Sequence, residues 1–182
     1  MNEIIITPED ITKRISLKTE DWDHIYSTNC YAYALGLDIN EDDICYDAYS
    51  IGGLYKKFTK DNTIMELSLE ERFYGDMEIL NIQCDVVGHN YCIFPSKPYI
   101  EGFNIYKDYS WLVAIYGDEK EFHVIRKGTD GKWYHKEGYY NEPKELTRRK
   151  TTLIDPKEGI PYNYDYVGTY KLNLKRNLTN YK

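Results

Sequence analysis

Three short runs of strand-forming residues follow one another closely: 109–116 (YSWLVAIY), 121–127 (EFHVIRK) and 132–136 (KWYHK), with four residues between each and the next. Gly117-Asp118 punctuates the first gap and Thr129-Asp130-Gly131 the second. Runs this short, joined by turn residues with no space for a crossover, predict an antiparallel meander. Further short strands are expected around 82–94 and at 165–174. No other feature limits the fold as strongly, because whatever precedes the meander has to pack on one of its faces.

What precedes it reads as helix. Thr7-Pro8-Glu9-Asp10 has a capping residue, a proline for the first helical position and acids for the first turn, which predicts a short helix to about Ser16. Thr28-Asn29 opens a compact helix over CYAYAL, and Gly36 ends it. Residues 38–47 form an acidic loop. Ser68 and Glu71 have capping-box spacing and open a helix through Glu78. Helices first and a sheet after them predict an α+β fold, with N-terminal helices packed on a central antiparallel sheet. The length of 182 residues suits one domain: a helical extension over 1–25, a core over 26–175 and a basic tail over 176–182. The chain holds 20 Tyr and 3 Trp, enough ring volume for a core in which each buried hydroxyl needs a partner.

Charge narrows the function classes. The net charge of -7 argues against a dedicated nucleic-acid binder. The acids concentrate before residue 91, so the N-terminal half offers a surface for a protein partner. No apolar run approaches the length of a membrane span, and MNEIIITPED lacks the basic start of a signal peptide, so a cytoplasmic protein without membrane contact is expected. Cys30, Cys45, Cys84 and Cys92 include no CxxC pair. They suit a reducing compartment and give no zinc-site spacing. No metal or organic cofactor is expected.

Cys30, His123 and His135 carry the chemistry. Cys30 follows two capping residue types, so it belongs to a first helical turn, where free backbone N–H groups favour a thiolate and offer donors to an oxyanion. His123 sits on the second meander strand, available to take and return a proton. His135 sits on the third. A tight hairpin sets the two histidines across from each other on one face, with His135 orienting His123. Asp130 and Asp155 are the alternative orienting carboxylates, each in a turn-like context. His24 and His89 read as structural, as do Cys45, Cys84 and Cys92.

A Cys at the head of a short helix, followed by HVIRKGTDGKWYH, resembles the NlpC/P60 group of papain-like cell-wall peptidases. In that group a Cys opens a helix in a motif of the type Asp-Cys-Ser-Gly. A His opens a strand, and a second His or polar residue follows about a dozen positions later. The resemblance implies a papain-like fold and a cysteine hydrolase or amidase acting on a peptide or isopeptide amide through a thioester. Cys30 is then nucleophile, His123 base and His135 orienting residue. The blocks NCYAYALG and FHVIRKGTDGKWYHKEG also resemble a little-characterised set of bacterial and phage-type proteins. The chain departs from the group at three points. Asn29 replaces the acid before the nucleophile, Tyr31-Ala32 replaces the small pair after it, and no Gln precedes it. An oxyanion site is expected from the Cys30 N–H with a side chain among Tyr26, Asn29 and Tyr31. Two other readings keep the same residues: an effector that deamidates or cleaves one protein, and a non-catalytic acidic binding or inhibitor protein.

Overall fold

The computed structural model describes residues 25–36, 50–86, 91–96, 110–118, 120–158 and 163–176. The expected helix over 7–16, the acidic loop at 38–47, His24, His89 and Cys45 lie outside them, as does the tail beyond 176. The side chains of Cys84 and Cys92 are outside the description too.

Among the described residues three α-helices precede the sheet: α1 (Cys30–Leu35), α2 (Gly53–Thr59) and α3 (Leu69–Val86). The described strands that follow are β1 (Tyr91–Ser96), β2 (Ser110–Gly117), β3 (Phe122–Lys127), β4 (Trp133–His135), β5 (Lys144–Glu145), β6 (Thr147–Arg148), β7 (Thr151–Thr152) and β8 (Tyr166–Arg176). Six of them form one antiparallel sheet in the order β1-β8-β2-β3-β4-β5, and β6 and β7 pair separately. The architecture is α+β. The expected meander is its centre, β2-β3-β4. Strand β8 returns from the end of the chain to pair with both β1 and β2.

The caps explain the helix bounds. Asn29 is extended, and its side-chain oxygen accepts the Ala32 N–H at 2.9 Å. Gly36 ends α1 at φ 72, where a side chain is strained. Ser68 and Glu71 close a capping box, with the Ser68 N–H on the Glu71 carboxylate at 3.0 Å. Helix α3 continues past Glu78 to Val86, which corrects the expected bound and displaces the strand foreseen around 82–94 to 91–96. No Gly or Pro stands between Gly75 and Gly88 to stop it. The turn from β2 into β3 requires Gly117: at φ 144, an added Cβ would meet the Glu121 carbonyl oxygen at 2.3 Å.

All six residues of α1 are buried. A short helix covered on every side must be apolar all round, and CYAYAL is. On one side the Trp111 indole of β2 donates to the Ala34 carbonyl at 2.8 Å. On the other, the Tyr31 hydroxyl donates to Asp76 of α3 at 2.8 Å. Asp76 also accepts the N–H of Gly52 at 2.7 Å and of Tyr55 at 2.9 Å, so one buried carboxylate ties the three helices together. Burial pushes its pKa up to about 7, against those donors. Asp76→Ala orphans all three donors and is expected to cost about 3 kcal/mol in urea unfolding, with Asp76→Asn losing less. A loss below about 1 kcal/mol for the alanine variant would mean that this junction does not hold the helices.

Candidate active site

Strand alternation decides which side chains meet. Phe122, Val124 and Arg126 of β3 face α1. The Phe122 ring lies 6.1 Å from the Tyr31 ring, and the Arg126 guanidinium lies 5.9 Å from the Tyr33 ring and donates to the Tyr33 carbonyl at 3.4 Å. His123 and Ile125 therefore turn to the opposite face. His135 pairs with Ile125 in the β3–β4 register and shares that face.

On that face His123 Nε2 and His135 Nδ1 lie 3.1 Å apart, with the rings edge to face. The two residues are diagonal neighbours, since His135 stands directly opposite Ile125 and not opposite His123. The hydrogen bond needs one ring to donate and the other to accept, so the two cannot both be charged there. Both are buried, at 5% and 4% exposure. Burial, and then repulsion from His135, lowers the His123 pKa to about 4. Burial lowers that of His135 too, opposed by attraction to Glu137 and reinforced by Lys144. Glu137 and Lys144 form an ion pair of 2.6 Å. Beyond the pair, the Tyr116 hydroxyl donates to the Pro156 carbonyl at 2.5 Å, and the Trp133 indole donates to the Ile154 carbonyl at 3.3 Å. The 153–158 segment thus covers this side of the sheet.

Cys30 occupies the first position of α1 and is 8% exposed. Backbone N–H groups of Val124 and Tyr31 reach its sulfur and favour the thiolate, as does the charge of Lys136, yet burial dominates and raises the thiol to about 11. The sulfur therefore sits against the backbone of the strand that carries His123, at the adjacent residue. The imidazole leaves that strand from the other side. The structure brings His123 and His135 together, and it brings the Cys30 sulfur to the Val124 N–H, at the residue next to His123.

The remaining sequence candidates divide. The Asn29 side-chain oxygen is engaged as the helix cap. The Tyr31 hydroxyl points into the helix layer, toward Asp76, and does not line a groove. Tyr26 is exposed and donates to Glu142 at 3.0 Å. Asp130 accepts the Tyr134 hydroxyl and the Lys132 N–H within its own turn, and Asp155 accepts the Lys157 N–H in its turn. The donors at the sulfur are main-chain N–H groups, including that of Val124, which sequence reasoning missed. Sequence reasoning also missed Lys136. The signal was present, because a Lys two residues after Tyr134 alternates onto the α1 face, where a charge needs a reason.

Among the described residues no group of three His, Cys, Asp or Glu side chains is arranged to hold a metal ion. No described helix is long and apolar enough to cross a membrane. Comparison of the chain with protein-family models, with curated proteins and with solved structures gave no match.

Proposed function

We propose that the protein is a papain-like cysteine hydrolase that cleaves a peptide or isopeptide amide, with Cys30 as nucleophile, His123 as acid–base group and His135 as the residue that holds His123. The observation that carries this reading is the buried 3.1 Å hydrogen bond between the two histidines. It keeps a neutral imidazole, fixed in orientation by a second ring, next to the strand position whose N–H holds the sulfur. The N–H groups of Val124 and Tyr31 at the sulfur support the reading further, since a tetrahedral oxyanion needs such donors. The resemblance to the NlpC/P60 group supplies the reaction class.

In this mechanism His123 takes the thiol proton as sulfur bonds to the carbonyl carbon. The C–N bond then breaks, and His123 returns the proton to the leaving amine. Water, giving a proton to His123, attacks the thioester, and the thiol is restored as the carboxylic acid leaves. Sulfur and ring must meet for this. Turnover of a panel of peptide and isopeptide amides, with and without prior alkylation of Cys30, tests the proposal. Turnover that survives full alkylation contradicts it.

Two further outcomes are expected. His123 acts as a neutral base and protonates only near pH 4, so kcat/KM should hold as pH falls through 6.5 and decline toward 4. An acid limb at 6.5, the ordinary imidazole value, would contradict the buried pair. His135 needs only to accept the His123 N–H, which an Asn carbonyl also does. Steady-state rates for His135→Ala are expected to fall ~10- to 100-fold, while His135→Asn retains a substantial share of activity. A silent His135→Ala would remove it as the orienting residue.

A second reading, a non-catalytic binding protein, is favoured by the burial of the thiol and its engagement with the main chain. On that reading His135→Ala lowers stability alone, and no amide is turned over.

A further inference from the structure

We propose that Glu137 and Lys144 form a charge clamp on the two histidines, in which Glu137 stabilises the imidazolium that arises when His123 takes a proton and Lys144 holds Glu137 in place. Both are positioning residues, acting through the rings rather than on substrate. The inference rests on His123 as the acid–base group and adds two residues to that site.

The register of β4 with β5 is the first observation. His135 stands directly opposite Lys144, and residues paired across an antiparallel ladder share one face. Lys144 therefore belongs to the histidine face, beside the ring that lies 3.1 Å from His123. The second observation is the ion pair. The Lys144 ammonium holds the Glu137 carboxylate at 2.6 Å, so the lysine brings the acid to that face. The third is the loop from β4 to β5, which fixes Glu137 again through its backbone. The Asn141 side chain donates to the Glu137 carbonyl at 2.6 Å, and the Lys136 ammonium donates to the carbonyls of Gly138 and Tyr139, both at 2.6 Å. A carboxylate held at both ends is in place before any proton moves, which is what electrostatic stabilisation of a new charge requires.

The other charges around the rings have partners of their own. Glu145 pairs with Tyr134, turns to the opposite face and meets Lys132 at 3.0 Å. Lys127 of β3 lies over the Trp133 ring, 5.8 Å from its centre. In the covering segment Asp155 accepts the Lys157 N–H, and Glu158 meets Arg148 at 3.4 Å. Tyr116 of β2 stands opposite His123, with its hydroxyl engaged at Pro156. Burial disfavours a charged ring at both histidines, and at His123 repulsion from His135 adds to it. Glu137 favours the charged ring at both, and Lys144 disfavours it at His135. The signs follow. Without the carboxylate the ammonium is unopposed, and the rings protonate at lower pH. Without the ammonium the carboxylate is unopposed, and they protonate at higher pH.

The test is an NMR titration of the imidazole Cε1–H signals in the full chain, with no substrate present. Sucrose is added to hold the chain folded at acid pH. Wild type is compared with Glu137→Gln, Lys144→Met and the double variant. The Glu137 and Lys144 side chains are 33% and 58% exposed, so neither substitution opens the core, and solvent screens part of their charge. The midpoint of the His123–His135 pair is expected to fall by about half a pH unit in Glu137→Gln and to rise by about as much in Lys144→Met. In the double variant it should return to the wild-type value. A purely structural ion pair would move both single variants in the same direction or leave both unchanged, and either result would overturn the proposal. In amide turnover at neutral pH, Glu137→Gln should lower kcat about threefold with KM unchanged. Because the titration needs no turnover, a protein that cleaves no amide leaves the clamp standing, and a failed clamp leaves Cys30 and His123 to be judged by alkylation and turnover.

Discussion

Cys30→Ser is expected to reduce amide turnover by at least ~10⁴-fold while the thermal midpoint moves by less than about 4 °C. The asymmetry follows from where the residue sits. It is the first residue of α1, and the fold uses its backbone and its small volume, both of which Ser supplies. Asn29 still caps the helix, and Trp111 still donates to Ala34. What Ser lacks is the nucleophile. A hydroxyl has no comparable acidity, and the N–H groups of Val124 and Tyr31 cannot raise its nucleophilicity enough to replace sulfur. Turnover within tenfold of wild type, in a variant that retains its fold, would remove Cys30 from the chemistry.

His123→Ala should be as damaging as Cys30→Ser, and the double variant no worse than either single one. Two groups that act in one step cannot each be lost twice. The alternative assigns His123 a packing role beneath the 153–158 segment. The loss would then appear as stability, because the substitution opens a hole beside His135 and leaves the ring nitrogen of His135 short of its partner. Kinetics and urea unfolding measured on the same protein separate the two. A stable His123→Ala variant with near-native turnover, or losses that multiply in the double variant, would dissolve the catalytic unit.

Local signals in the sequence were reliable where both ends of an element carried chemistry. Asn29 and Gly36 bound α1, Ser68 and Glu71 start α3, and the Gly117-Asp118 and Asp130-Gly131 turns separate the meander strands. The far end of α3 was not legible, because the stretch after Glu78 has no stop residue before Gly88. The place of β8 between β1 and β2 depends on pairing across fifty residues or more, which no local pattern encodes.

The site was legible in part for the same reason. Period two puts His123 opposite to Phe122 and Val124, and the His–His contact follows from a tight hairpin of 12-residue span. Which face of the strand receives α1 is a matter of tertiary packing. It goes to the side of Phe122, Val124 and Arg126. The same packing buries Lys136.

The most direct test uses an activated ester, p-nitrophenyl acetate, as acyl donor. The acetylated protein is digested and mapped by mass spectrometry within the first turnover. The account predicts an acetyl group on Cys30 that hydroxylamine removes. It should be absent in Cys30→Ser and form at least ~100-fold more slowly in His123→Ala. Acetyl groups scattered over exposed lysines, with Cys30 unmodified in the wild type, would contradict it.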